Sequence, residues 1–306
     1  MTAISVVIPT RGRPDLIGRS VRAVLMNDHP DFDVTVVDQS DEPDTGVVVT
    51  EIARSDSRLR YVHTMPPGLS RAYNVGAGLT AAPILAFTDD DCVARPDWVS
   101  AIARAFAQEP QGELLYGRVA LPVDLVAVAG EVPVLPISRA ERLDPRDGFR
   151  LYGMGANFAV RRQLLTRLGG FDEILGGGGP LRSSQDFDLQ YRAYLAGASV
   201  LLRPDVSVDH YGLRTAAQWP ATQRAYGIGD GAFYMKHVRC GDARAVSMLA
   251  RRLTRTAARQ LRHLLDPSRP SHAPYLRAVI EGMRLSTRYP VDRPRRMYLP
   301  RETAGA

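Results

Sequence analysis

Short β-branched runs alternate with amphipathic stretches through the first hundred residues. Ile4 to Ile8, apolar except for Ser5, reads as a buried strand, and Pro9 closes it. Asp15 to Met26 then spaces its apolar positions three and four apart behind Pro14, which predicts a helix with proline in its first turn. The alternation recurs in Val34 to Val37 before Asp38, in Leu59 to His63, in a helix over Ser70 to Leu79, and in Ile84 to Phe87 running into Asp89, Asp90 and Asp91. Such a series predicts a mostly parallel sheet covered by helices on both faces. Ligands of these sheets bind beyond the carboxyl ends of the strands, where Pro9-Thr10-Arg11, Asp38 and the aspartate triplet all fall.

Beyond a helix opened by Pro96-Asp97-Trp98, the stretch Leu121 to Arg150 is rich in Pro and Val and lacks a clear period, which predicts an irregular connection. A strand is expected at Gly155 to Val160, then a helix through Leu165, the glycine run Gly176 to Gly179, and a helix from near Ser184 carrying Asp186 and Asp188. Two further strands are expected at Ser199 to Leu202 and Val206 to Val208. From about Thr215 the pattern is helical, so the expected division is a catalytic part at residues 1–214 and a helical part at 215–306.

The 306 residues, 45% hydrophobic and 24% charged, suit a globular enzyme rather than a disordered or collagenous chain. Cys92 and Cys240 are too few and too far apart for a disulfide framework or a thiolate zinc site, so a reducing, cytoplasmic setting is expected. No charged segment precedes an apolar run at the start, and no run of about 18 apolar residues occurs, so neither a standard secretion signal nor a membrane span is expected. Charge is uneven. Residues 213–306 hold 17 Arg and one Lys against 6 acidic residues, whereas residues 1–212 carry a net charge of −6. Within that basic part Val246, Leu249, Ala250, Leu253, Ala257, Leu261, Leu264 and Leu265 form one helical stripe, beside Arg251, Arg252, Arg255, Arg259 and Arg262. Either an anionic membrane surface or protein, the catalytic part or a second copy in a homodimer, would satisfy that helix.

Three adjacent carboxylates at a strand end repel one another unless a cation is present. The triplet is therefore either a grip for a hard cation such as Mg2+ or Mn2+, which completes its shell with substrate phosphates, or a solvated acidic turn. Asp186, at a helix start just after a glycine-rich loop, is either a general base for an acceptor hydroxyl or an acid favoured by the helix dipole. His210 follows an apolar strand and reads as a ligand, a phosphate contact or a structural imidazole.

Ser5 to Arg13, Val36 to Ser40, Gly68 to Gly76, Phe87 to Asp91, and Gly169 to Glu173 with Gln185 to Leu189 resemble, in order, the marks of family 2 glycosyltransferases. The resemblance spans about residues 4 to 212 and implies the glycosyltransferase A fold, a Rossmann-like, mostly parallel α/β sheet, here with a helical C-terminal extension. It also implies inverting transfer from a nucleotide-diphosphate sugar, dependent on Mg2+ or Mn2+, to a glycan, lipid-linked or small-molecule acceptor. Position by position, Pro9, Thr10 and Arg11 would border the nucleotide, Asp38 would bond the base, and Arg71 and Asn74 would line the base and diphosphate. Asp89 would lie near the ribose and, with Asp90, on the donor side. Asp91 would be the direct metal ligand, joined by Asp89 and His210. Asp186 matches the catalytic base, although Gln185 stands where Glu is usual. The implied setting is cytoplasmic or peripheral at the inner face of the cell membrane, in cell-surface glycan assembly. Two other functions compete. Nucleotidyl transfer would call for a Gly-rich triphosphate loop, of which Thr10 to Arg13 is a poor version, and nucleic-acid binding has only the basic stripe to support it.

Overall fold

The protein is described by a computed structural model covering residues 2–301 except 129, 267 and 269. It forms two units, residues 1–171 with 189–214 and residues 172–188 with 215–306.

The first unit begins with β1 (Ile4–Thr10), α1 (Pro14–Leu25), β2 (Phe32–Asp38), α2 (Asp44–Ala53), β3 (Leu59–His63), α3 (Leu69–Gly78) and β4 (Ile84–Thr88). It continues with β5 (Cys92–Ala94), α4 (Trp98–Gln108), β6 (Gly112–Ala120), β7 (Glu141–Leu143), β8 (Asn157–Arg161) and α5 (Arg162–Leu168). Next come α6 (Gln185–Leu195), whose first turn is counted with the second unit, and β9 (Ser199–His210). The sheet runs β3-β2-β1-β4-β8-β6-β9-β5, with β7 against β9. Its β3-β2-β1-β4 half is parallel, as the strand and helix alternation predicts, and β6 with β9 is parallel too. By contrast β8, β5 and β7 pair antiparallel. The two strands expected over Ser199 to Val208 are one strand. Its pairing with β6 skips between Gly117↔Arg203 and Arg118↔Ser207, a bulge at Pro204, which has no N–H to give the ladder.

Helix α1 shows why the local signals succeed: proline opens it, Asp15 lies in its first turn, Arg22 in its last, and Ile17, Val21, Val24 and Leu25 face inward. Each buried side chain of this size contributes about 1.5–3 kcal/mol of burial free energy. Asn157 joins distant parts, accepting from Trp98 Nε1 at 2.9 Å and donating to the carbonyls of Arg118 and Val206 at 2.9 and 3.0 Å. A Cβ on Gly117 would lie 2.2 Å from the Val206 carbonyl, so glycine permits that approach.

The second unit holds α7 (Trp219–Arg239), α8 (Ala243–Leu265), α9 (Ala273–Ser286) and a two-stranded ribbon of β10 (Val291–Asp292) and β11 (Met297–Tyr298). Residues 172–188 belong here rather than with the catalytic part expected at residues 1–214, because Ile174, Leu175 and Leu181 are buried with Ala232 and Tyr298. Helices α7 and α9 cross closely through small residues. A Cβ on Gly231 would meet the Val279 carbonyl at 2.0 Å, and one on Gly282 the Ile228 carbonyl at 2.0 Å. On α8, Ala245, Leu249 and Thr256 are buried while Leu261, Leu264 and Leu265 stay exposed. No helix among the described residues is long and apolar enough to cross a membrane.

Candidate active site at the strand ends

Parallel pairing places Thr10 opposite Asp38 at the carboxyl ends of β1 and β2, and β4, beside β1, leads directly into Asp89. Thr10 Oγ1 donates to Asp90 Oδ2 at 2.7 Å. Arg13, the residue before α1, sends one Nη1 to both Asp90 Oδ1 and Asp91 Oδ2, each at 2.9 Å. Ser20 Oγ donates to the Asp89 carbonyl at 3.1 Å. Tyr73 Oη, above the packed rings of Phe87, Phe158 and Phe171, donates to Asp89 Oδ1 at 3.4 Å.

The acidic turn closes on His210. Antiparallel pairing of β5 with β9 sets Cys92 opposite His210, which brings His210 Nε2 to 3.2 Å from Asp91 Oδ1. His210 Nδ1 lies 2.8 Å from the Pro133 carbonyl and donates to it, so Nε2 is the nitrogen turned toward Asp91. Metal-capable atoms of Asp91, Cys92 and His210 lie within 4.8 Å of one another. A Cβ on Gly212 would stand 2.4 Å from His210 Nε2 and 2.8 Å from Asp91 Oδ2, so the backbone approaches this pair closely only because residue 212 has no side chain. The donor set fits a hard divalent cation held by carboxylate and imidazole. Burial pushes the Cys92 thiol well up, which keeps it protonated and disfavours a thiolate site.

Electrostatics point the same way. Burial, then the charge of Asp91, pushes the Asp89 carboxyl up to about 7. Burial also raises Asp90, against the pull of Arg13 and Thr10. For Asp91 the burial effect is outweighed by the hydrogen bond and charge of His210 and by Arg13, which hold it below the usual carboxylate range. The His210 imidazole is raised in turn, burial being outweighed by Asp91. Three carboxylates thus face one guanidinium and one imidazole, and a cation would relieve the remaining repulsion.

The other expected residues are dispersed. Asp38 is buried, taking hydrogen bonds from the Ser40 N–H at 2.8 Å, the Ser40 hydroxyl and Tyr61 Oη at 2.9 Å. Gln39 Oε1 accepts from the Gly68 N–H at 2.9 Å and fixes the start of α3, whose first turn carries Arg71. Pro9 is buried in β1 opposite Val37, and Arg11 reaches Asp41 at 2.9 Å with both side chains largely exposed. The Asn74 amide bonds the Phe171 carbonyl and N–H at 2.9 and 2.8 Å, so it shapes the Gly169 to Phe171 turn. Asp186 lies in the second unit, its Oδ1 accepting the Phe187 N–H at 2.9 Å at the start of α6. Sequence reasoning gave no role to Arg13 or Gly212. Arg13 ends the Ser5 to Arg13 motif, which is a signal for it, whereas Gly212 carries no local signal.

The family model for Glycosyl transferase family 2 matches residues 5–168. A glucosyl-dolichyl phosphate glucuronosyltransferase from Haloferax volcanii is 22% identical over 71% of this chain and 72% of its own length. A validoxylamine A glucosyltransferase from Streptomyces hygroscopicus subsp. jinggangensis is 27% identical over 63% of this chain, which spans about half (52%) of that protein. Among solved structures, mannosyltransferase PcManGT from Pyrobaculum calidifontis, in complex with GDP-Man and Mn2+, superposes with a TM-score of 0.62. It shares 18% identity over 92% of this chain and 86% of its own. S. aureus TarS 1–349, in complex with UDP-GlcNAc, gives a TM-score of 0.55 at 19% identity, covering 75% of this chain and 66% of its own. At these identities the structures establish the shared fold.

Proposed function

The chain belongs to glycosyl transferase family 2, and from that premise we propose that it moves a sugar from a nucleotide diphosphate to an acceptor hydroxyl, inverting the anomeric carbon, with Mg2+ or Mn2+. The observation that carries this is the buried Asp91 and His210 pair, closely approached by Gly212, at the end of the acidic turn. Asp91 and His210 would hold the cation, His210 presenting Nε2 because Nδ1 is tied to Pro133, while Asp89 and Asp90 face the donor. When bound, such a cation neutralises charge gathering on the departing diphosphate. Arg13 and Thr10 keep Asp90 aimed, and Asp186 takes the proton of the acceptor hydroxyl in a single displacement. The GDP-Man and UDP-GlcNAc bound by the structural neighbours make both nucleotides candidates for the donor.

Thermal denaturation with GDP-mannose, UDP-glucose or UDP-N-acetylglucosamine tests the proposal, because ligand binding to the folded state alone raises its stability, by about 2.7 kcal/mol at a hundredfold excess over Kd. One of these donors should raise the melting temperature in Mn2+ or Mg2+ and fail to do so in chelator. Gly212→Ala should abolish the metal-dependent rise and also lower the unliganded melting temperature, since the new methyl group would press on His210 Nε2 and Asp91 Oδ2, both buried and hydrogen-bonded. Equal donor stabilisation in metal and in chelator would remove the basis for metal-assisted transfer.

The exposed end of α8 supports a location at an anionic membrane. Leu261, Leu264 and Leu265 are 58%, 68% and 79% exposed beside the exposed Arg255, Arg259 and Arg262, the arrangement of a helix that lies in a lipid interface. The full chain should sediment with phosphatidylcholine vesicles only when phosphatidylglycerol is included, and Leu264→Asp with Leu265→Asp should release it. A concentration-dependent dimer in solution, without vesicle binding, would assign this face to a second copy instead.

A further inference from the structure

Lys236 is the only lysine among the 39 lysines and arginines of the chain, and it is fully buried. Its Nζ lies 2.6 Å from Asp172 Oδ2 and 2.6 Å from Asp188 Oδ1, both carboxylates also 0% exposed. The neighbouring His237 places Nε2 3.1 Å from Asp188 Oδ1, and the Tyr298 N–H donates to Asp172 Oδ2 at 2.8 Å. An arginine would bring a planar fork of five donors, whereas the ammonium is a compact charge that meets two carboxylates at one point. These two aspartates begin and end the segment 172–188, which carries Asp186.

A second tie holds the same segment. Asp230, six residues before Lys236 on α7, takes the Ser184 hydroxyl on Oδ1 at 3.0 Å, while Arg252 at 2.9 Å and the Tyr275 hydroxyl hold its other oxygen. Ser183 Oγ donates to the Ala225 carbonyl at 3.2 Å, and a Cβ on Gly229 would meet that Oγ at 2.1 Å, so the segment lies directly against α7. Between the ties, Arg182 and Ser184 hold left-handed backbone with φ of 71° and 70°. Residues other than glycine keep such angles only where the surroundings over-determine them. Asp186 therefore stands between two anchored residues, Ser184 and Asp188, and both anchors come from α7.

We infer that Lys236 and Asp230 are positioning residues for Asp186, so that the C-terminal helices serve the transfer step by fixing the segment that bears its base. The inference rests on the reading of Asp186 as that base. It also assigns a purpose to burying an ionic cluster, which is otherwise costly compared with apolar packing.

The test uses the full chain with three measurements: donor binding in Mn2+, nucleoside diphosphate release from GDP-mannose, UDP-glucose and UDP-N-acetylglucosamine, and amide exchange over residues 172–188. Lys236→Met leaves two buried carboxylates without their cation. A variant combining it with Asp172→Asn and Asp188→Asn removes the charges together and preserves the fold should the single change not fold. In the folded variant kcat should fall at least a hundredfold with donor affinity within threefold of wild type, and amides of 172–188 should exchange faster. Wild-type kcat in the neutral variant would overturn the inference, as would donor affinity and kcat falling in parallel, the signature of a merely structural cluster. If the wild type itself turns over no donor, the transfer reading fails, and amide exchange alone decides whether Lys236 anchors the segment.

Discussion

Asp186→Asn is expected to lower sugar transfer by about 10²–10⁴-fold, the usual contribution of a positioned general base, while Mn2+-dependent donor binding stays within a factor of about two. The separation follows from what asparagine keeps and loses. Its amide oxygen still accepts the Phe187 N–H that Asp186 Oδ1 now accepts, so the first turn of α6 is preserved, but the side chain can no longer take a proton. Steady-state release of nucleoside diphosphate, together with calorimetric donor titration, gives both quantities. Donor binding lost in proportion to turnover would make Asp186 part of the donor site and leave the acceptor without an identified base.

Asp91→Asn should weaken the metal-dependent component of donor binding by about 100-fold or more, close to 2.7 kcal/mol, and Asp90→Asn should weaken it less. The two carboxylates look alike in sequence but differ in their partners. Asp90 takes hydrogen bonds from Thr10 and Arg13 and, among the described residues, has no imidazole beside it to share a cation. Asp91 shares Arg13 but also faces His210 Nε2, the nitrogen whose lone pair a cation would use once the proton is displaced. Manganese titrations monitored by donor-induced stabilisation distinguish them, and an Asp90 effect equal to or larger than that of Asp91 would move the ligand assignment one residue back.

These three substitutions address residues that could be singled out before any coordinates, and the reason is local. Strand and helix alternation from Ile4 to Phe87 is written in side-chain periodicity, since each element must hide one stripe or both faces from water, and parallel pairing then sends the ends of β1, β2 and β4 to one edge. Chemistry at that edge, three adjacent acids after an apolar run, was legible for the same reason. The helical character of residues 243–265 and its arginine stripe were legible too, but not which part of the stripe is covered: Leu249 is buried, Leu264 and Leu265 are not.

What periodicity could not carry is pairing between residues far apart in the chain. His210 meets Asp91 because an antiparallel register sets β9 against β5, and Gly212 matters because only a residue without a side chain can approach that pair so closely. Lys236 lies in a helix like any other cation in the sequence, and its worth comes from two aspartates 64 and 48 positions earlier that share its burial. Residues 172–188 likewise leave the sheet unit for the helical one because Leu175 and Leu181 find their apolar partners there. Hydrophobic spacing is a property of neighbours along the chain, whereas register, desolvation and the neutralising of buried charge depend on which distant segments pack together.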